Sequence, residues 1–163
     1  MADLFSPPVE QWQGVSVRLR DLRRVLFVVP CAVAAVVGVV LVQLLLGWWW
    51  LSAVLVLLAL AVAMWGWFWA ARNQRAWGYA ENADDLYVTR GVMWRRLVAV
   101  PYGRMQFVDV SAGPLERFFG VATVTLHTAS TETAADIPGL PPEEATRLRN
   151  RLTELGEARG AGL

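Results

Sequence analysis

The chain has 163 residues, of which 56% are hydrophobic, and a formal net charge of +1. This near-neutral charge, without a basic stripe, argues against nucleic acid as a partner, because phosphate contacts dominate that kind of binding. The single cysteine, Cys31, excludes a disulfide within the chain and a cysteine-rich zinc site. We therefore expect neither a bound metal nor a cofactor.

Residues 1–24 are predicted to be a cytoplasmic N-terminal segment. Pro7 and Pro8 disfavour an early helix, and apolar and polar side chains alternate over residues 15–19. This alternation fits either a short extended segment or a segment that lies at the membrane interface. The sequence leaves both alternatives open.

An uncharged stretch covers residues 25–71. It is about twice the ~20 residues that cross a bilayer core, so it predicts a transmembrane helical hairpin. The expected spans are residues 25–46 and 51–71, joined by Gly47 and three tryptophans that suit the headgroup level. A soluble core is a poor alternative, because globular helices of this length keep a polar face.

Arginine positions set the predicted orientation of the hairpin. The flanking arginines are Arg18, Arg20, Arg23 and Arg24 before the first span and Arg72 and Arg75 after the second. Because the link carries no charge, the positive-inside rule predicts a two-span cell-membrane protein with both termini in the cytoplasm. A cleaved signal peptide is the rival interpretation, but the apolar run is too long for one. The spans hold no ionisable group, which argues against a channel or transporter.

Short segments separated by turn signals follow from Trp77 onward and predict strands. We expect them at residues 77–81, 86–89, 92–100, 105–110, 121–128 and 133–137. In the third of these, Val92, Trp94 and Val98 share one face, which Arg96 interrupts. That arginine is therefore expected to reach a sheet edge or a partner.

A helix is expected from Glu143 onward. Its apolar stripe consists of Ala145, Leu148, Leu152 and Leu155. Pro142 and two glutamates suit the start of a helix, where N–H groups lack partners. Strands closed by one amphipathic helix predict a small antiparallel sandwich or barrel, mainly β within the α+β class, over residues 72–157. Residues 158–163 are then a C-terminal tail.

Four ordered motifs carry a family resemblance. They are LYVTRGVMWRR (86–96), VPYGRMQFVDV (100–110), GPLERFFGVATVTLHTAS (113–130) and ADIPGLPPEEATRLRNRL (135–152). With the hairpin before them, they resemble the bacterial pleckstrin-homology (PH) domain membrane proteins of the YdbS-like type. The resemblance implies a PH-like domain of two roughly orthogonal antiparallel sheets and a C-terminal helix. It also implies that residues 115–120 form a short helical connection between strands.

The residues predict no catalytic site. The one histidine, His127, is expected to be exposed on a strand. Asp84 and Asp85 are more typical of a turn than of a catalytic carboxylate pair. No glycine-rich phosphate loop, metal-ligand spacing or Ser/His/Asp set is visible in the sequence. We therefore expect a protein that is not an enzyme.

The sequence offers one candidate site for a ligand and one for a partner. The candidate ligand-binding residues are Arg90, Arg95, Arg96 and Arg104. Clustered arginines near a membrane can hold a phosphate through paired N–H groups. The alternative is that they pair with Asp84, Asp85 and Asp109 or are simply solvated. Phe118 and Phe119 are candidate interaction residues that cover a sheet edge or meet the membrane.

Two hypotheses for function follow. The resemblance implies a membrane-anchored accessory subunit of a membrane complex in envelope stress or antimicrobial-peptide resistance. Its partner would be another membrane protein, and a protein with repeated PH-like domains is the leading candidate. The alternative is a cytoplasmic-face sensor of anionic lipid headgroups. A homo-oligomer is compatible with either hypothesis.

Overall fold

The computed structural model describes residues 12–129 and 134–160. The elements are β1 (Gln13–Gly14), α1 (Val17–Leu45), α2 (Trp49–Arg75), β2 (Gly78–Glu81), β3 (Asp85–Arg90), β4 (Arg96–Pro101), a 3₁₀ turn (Tyr102–Arg104), β5 (Met105–Ser111), α3 (Pro114–Phe119), β6 (Ala122–Thr128), β7 (Ala135–Leu140) and α4 (Pro142–Gly160). Two apolar helices, two antiparallel sheets and a closing helix confirm the predicted fold class. Arg20–Arg72 form one compact unit, and the described residues up to Leu19 and from Asn73 form the other.

The helical unit holds two helices that are long and apolar enough to cross a membrane. With 29 and 27 residues, each is about 40 Å long at ~1.5 Å rise per residue. The helices extend beyond the predicted spans, from Val17 at one end to Arg75 at the other, because the flanking arginines are themselves good helix formers. Gln43 Nε2 donates a hydrogen bond to Ser52 Oγ at 3.0 Å, so these two polar side chains satisfy each other.

The second unit is built on two antiparallel sheets. One has the strand order β1-β2-β3-β4 and the other β5-β6-β7. Leu86 of β3 lies opposite Val100 of β4, and Val88 lies opposite Val98. Because side chains alternate between faces along a strand, these residues share the inward face of the sheet.

The N-terminal segment joins this sheet unit. Gln13 lies opposite Tyr79 in the β1–β2 pair, so a short extended segment is present at residues 13–14. Most of the alternating residues 15–19 are not extended, because α1 already begins at Val17. The Ser16 N–H then donates to the Gly139 carbonyl of β7 at 3.0 Å. The edge of β2 offers unpaired backbone groups, which β1 satisfies. Residues 12–19 are therefore part of the domain and not a separate lead-in to the hairpin.

Helix α4 closes the core between the sheets. Three residues of its predicted stripe, Ala145, Leu148 and Leu152, are buried, and Leu155 is half-buried. Fully buried side chains of this core come from both sheets and from the 3₁₀ turn; they are Tyr79, Leu86, Val88, Val100, Val124, Leu126, Ile137 and Leu140 of the strands and Tyr102 of the turn. The burial of one stripe of α4 explains why its other faces carry most of its charged residues.

The last strand departs from its predicted bounds. A strand was expected at residues 133–137, broken by Pro138, whereas β7 runs from Ala135 to Leu140 and Thr133 lies outside the described residues. Pro138 is tolerated because β7 is at the edge of its sheet, where a missing N–H removes no ladder bond. Gly139 follows with φ of 77°, a conformation that favours glycine.

A polar cluster fastens the start of α4 to β2. The Tyr79 hydroxyl lies 2.8 Å from Glu144 Oε1 and 2.6 Å from Gln13 Oε1. Arg147 donates to both Glu144 oxygens, at 2.6 and 3.0 Å, and to Glu81 Oε1 at 2.5 Å. The hydrogen bonds from Arg147, with a smaller contribution from Tyr79, hold the pKa of Glu144 below its ordinary value of 4.5, despite partial burial.

The Glu144 cluster predicts a loss of stability in acid. Because its pKa is lower in the folded state, Glu144 stabilises the fold above pH ~4.5, and this contribution is lost as the pH falls through the folded-state pKa. Glu144→Gln is expected to lower the free energy of unfolding by about 0.5–1.5 kcal/mol at pH 7, since the Glu144–Arg147 pair is partly exposed. The melting temperature of the variant should also fall less than that of wild type between pH 5 and 3. Thermal melts of both proteins check this. The exposed neighbour Glu143→Gln is the control, and an identical acid profile for Glu144→Gln and wild type would contradict it.

Candidate functional site

The candidate site is the end of the β3–β4 hairpin, residues 90–96, which we call the hairpin tip. Arg90 ends β3 and lies opposite Arg96, which begins β4. The strand predicted at 92–100 therefore begins four residues late, because β3 ends at Arg90 and leaves residues 92–95 without a pairing strand. Gly91 has φ of 103°, and a Cβ there would lie 1.9 Å from the Trp94 carbonyl oxygen. Only glycine fits this close reversal.

Two arginines of the tip share a face. Leu86 and Val88 of β3 and Val100 of β4 are buried on the inward face. The two-residue period places Arg90 and Arg96 on that same face, at the point where the core ends. Side chains directly opposite in an antiparallel pair have Cβ atoms about 4.5–5.5 Å apart, and like charges there are destabilising. The β3–β4 register therefore places two positively charged residues directly opposite each other.

No carboxylate of the described residues forms an ion pair with the arginines of the tip. Within residues 12–129 and 134–160, no ion pair involves Arg90, Arg95 or Arg96. Asp84, one of the expected partners, instead accepts from Arg159 Nη2 at 2.6 Å. From Leu86 to Gly103 the sequence has no acidic residue. The tip is thus a local concentration of positive charge in a nearly neutral chain.

Two exposed apolar side chains complete the tip. Met93 is 85% exposed and Trp94 is 86% exposed. The sequence predicted that Trp94 shares one face of a strand with Val92 and Val98, and this was wrong, because β4 begins only at Arg96. The signal that could have revealed the loop is Gly91, since a glycine that follows a strand often marks a reversal that shifts the register of what comes next.

The fourth candidate arginine lies elsewhere. Arg104 ends the 3₁₀ turn that follows β4. From Arg96 to Pro101 the strand advances by about 17 Å at ~3.3 Å per residue, so the structure separates Arg104 from the tip. Its neighbour Gly103 lies close to Arg159 of α4, because a Cβ added to Gly103 would be 3.8 Å from Arg159 Cβ. Only three of the four predicted arginines therefore lie at the hairpin tip.

The candidate interaction residues lie on α3, the short helical connection that the resemblance implied. Phe118 is 83% exposed, while Phe119 is half-buried and meets it edge-on with ring centroids 5.4 Å apart. Glu116 anchors the helix, because its Oε2 accepts from the Gly113 N–H at 2.7 Å and its Oε1 accepts from Thr123 Oγ1 at 3.0 Å. The helix thus presents Phe118 to solvent from a fixed position.

Comparison with known proteins assigns the family. A family model described as "Bacterial PH domain" matches residues 21–156. The chain belongs to the bacterial PH domain family. It is also 36% identical over 83 residues to the UPF0699 transmembrane protein YdbS of Bacillus subtilis (strain 168). That match covers 51% of each chain, so this chain aligns with about half the length of that relative. No solved structure matches the chain significantly.

These matches confirm the YdbS-like resemblance and describe a membrane protein with a PH-like domain. In this bacterial PH domain, His127 stacks on Phe107 with ring centroids 4.1 Å apart. Among the residues that the structure describes, no three His, Cys, Asp or Glu side chains are grouped to hold a metal ion. Membership of this family suggests a non-catalytic protein.

Proposed function

We propose that this chain is a membrane-tethered binding module whose hairpin tip binds anionic lipid headgroups. The main support for the proposal is that Arg90, Arg95 and Arg96 all lie at one hairpin tip, with Arg90 directly opposite Arg96 and without a carboxylate partner among the described residues. A guanidinium donates two parallel hydrogen bonds to a phosphate, and this geometry suits headgroups better than a lysine would. The role is one of binding and not of catalysis.

The proposed topology brings the tip to the appropriate leaflet. We propose two spans with both termini in the cytoplasm, supported by six flanking arginines and an uncharged link. The cytoplasmic leaflet carries the anionic lipids that attract basic residues, at about 1 kcal/mol for each arginine near the surface. The tether adds to this attraction, because it turns lipid binding into an intramolecular event at high effective concentration.

Lipid binding by charge-matched variants tests the proposal. The full chain is purified in a neutral detergent, and phosphatidylglycerol or phosphatidylcholine binding is measured by native mass spectrometry. We expect Arg90→Ala/Arg95→Ala/Arg96→Ala to weaken phosphatidylglycerol binding by about tenfold or more, since each lost contact is worth ~1 kcal/mol. Phosphatidylcholine binding should not change.

A second triple variant provides the control for this measurement. Arg104→Ala/Arg149→Ala/Arg151→Ala removes the same charge from exposed positions outside the tip. Its phosphatidylglycerol affinity should stay within about twofold of wild type, because distant exposed charges are screened beyond ~10 Å. Equal losses in the two triple variants would show general charge attraction and would contradict a site at the tip.

A second candidate function is docking of another membrane protein through α3. The observation that favours it is the exposure of Phe118 at 83%, beside a half-exposed Leu115. We propose that the partner is a membrane protein with PH-like domains, in the setting of envelope stress or peptide resistance. A photo-crosslinking amino acid at Phe118 is expected to trap such a protein in cells, whereas one at Gly103 is not. A crosslink to a second copy would instead indicate a homo-oligomer, and no crosslink would reject the docking role.

A further inference from the structure

We infer that Met93 and Trp94 insert into the bilayer between the headgroups that the tip arginines contact. The hairpin tip would then recognise an acidic membrane surface and not a free polyphosphate. This inference rests on the proposed headgroup binding and adds an apolar component to the same site. It assigns a role to Met93 and Trp94, which headgroup binding by the arginines does not require.

The exposure of the two side chains is the first argument. At 85% and 86% exposed, Met93 and Trp94 are the two most exposed large apolar side chains of the described residues, and they are adjacent in sequence. Both lie at the end of a hairpin, where no described residue covers them. Tryptophan favours the headgroup level of a bilayer, because its ring is apolar and its indole N–H is polar.

The local backbone is the second argument. Gly91 approaches the Trp94 carbonyl so closely that any Cβ would overlap it. The reversal therefore has a defined conformation set by the two paired strands, with Arg90 and Arg96 at its base. A loop that is already ordered loses less conformational entropy when its side chains enter a membrane.

Charge complementarity identifies the occupant as an acidic bilayer. Arg90, Arg95 and Arg96 flank the apolar pair in sequence on both sides, and no acidic residue occurs from Leu86 to Gly103. Basic residues beside an exposed aromatic residue are the pattern of segments that lie in the interface of anionic membranes. The chain also carries two helices that are long and apolar enough to cross a membrane, and in the proposed two-span topology a bilayer is always available to the domain.

A spin label on the full chain measures the insertion directly. Cys31 is the only native cysteine, so Cys31→Ser/Met93→Cys accepts one nitroxide label. The protein is placed in nanodiscs of phosphatidylcholine alone or with phosphatidylglycerol, and collisions with oxygen and with a water-soluble nickel chelate are compared. A label that lies about 5–10 Å below the headgroup surface collides more often with oxygen and less often with the nickel chelate. We expect the ratio of these two collision rates to rise by about threefold or more in the acidic discs only.

Three controls accompany the insertion measurement. A label at Ala99→Cys, an exposed position on β4, should stay aqueous in both discs. Adding Arg90→Ala/Arg95→Ala/Arg96→Ala to the Met93→Cys protein should return its label to water. Inositol hexakisphosphate, as a soluble polyphosphate, should compete only weakly with acidic discs.

The other outcomes overturn the inference. An aqueous label at Met93→Cys, with phosphatidylglycerol binding still dependent on the three arginines, would leave headgroup binding intact and reject insertion. An aqueous label with arginine-independent binding would reject both. If the label at Met93→Cys collided rarely with both oxygen and the nickel chelate, a protein and not a bilayer would cover the tip. Equal insertion in neutral discs, or full displacement by inositol hexakisphosphate, would reject an acidic bilayer as the ligand.

Discussion

Leu148→Ala is expected to lower the free energy of unfolding of the PH domain by about 2–5 kcal/mol. Leu148 is fully buried on the inner stripe of α4, beside the equally buried Leu152. Truncation removes apolar burial and leaves a cavity that two sheets and a helix can only partly close. Since small domains are stable by only 5–15 kcal/mol, the loss should be visible as a large drop in resistance to heat. Pulse proteolysis in detergent measures it.

The same truncation at an exposed position gives the control for Leu148. Leu115 on α3 is 47% exposed, so Leu115→Ala should change stability by less than about 0.5 kcal/mol. Similar losses for the two variants would mean that α4 does not close the core. The assignment of Ala145, Leu148 and Leu152 to one buried stripe would then be wrong.

Gly139→Val is expected to be the second most damaging change, at about 2–5 kcal/mol. Gly139 has φ of 77°, and a left-handed conformation costs a residue with a Cβ roughly 1–2 kcal/mol. Its Cβ would also lie 2.6 Å from Leu19 Cβ, and such overpacking costs a further ~1–3 kcal/mol. The contact between β7 and the start of α1 should therefore loosen.

Hydrogen exchange locates the effect of Gly139→Val. The Ser16 N–H donates to the Gly139 carbonyl at 3.0 Å, so its exchange should become much faster in the variant. Gly14→Ala is the matched control, because a Cβ at Gly14 meets no atom within 4 Å. Slow exchange at Ser16 in Gly139→Val would show that β7 does not hold the N-terminal segment.

Much of the fold could be predicted because its signals are local. The uncharged stretch of residues 25–71 predicts the helices by length and composition, and the alternation in residues 121–128 predicts β6. The stripe of α4 follows from its 3.6-residue period. Each of these patterns is decided by which side chains face water or lipid, and that choice can be read from the sequence.

The remaining elements depend on partners that are distant in sequence. β1 is only two residues long and exists because it pairs with the edge of β2. No local pattern in the sequence reveals this pairing. β7 continues through Pro138 because it is an edge strand, and edge position is a property of the whole sheet. Periodicity alone therefore misplaced these boundaries.

The candidate site was predictable in its charges but not in its shape. Arg90, Arg95 and Arg96 are close in sequence, and the hairpin keeps them close in space. Arg104 follows Arg96 by only eight residues, yet the intervening strand carries it to the other end of the sheet. Trp94 was assigned to a strand because its alternation with Val92 and Val98 imitates one.

Sidedness of the PH domain tests the central claim, which is that the domain faces the anionic cytoplasmic leaflet. Cys31→Ser/Glu143→Cys places one thiol on the exposed start of α4, and Cys31→Ser/Trp49→Cys places one at the link between the helices. Intact cells are treated with a membrane-impermeant maleimide. We expect labelling at position 49 in intact cells and at position 143 only after the cells are opened. Labelling at position 143 in intact cells would contradict it.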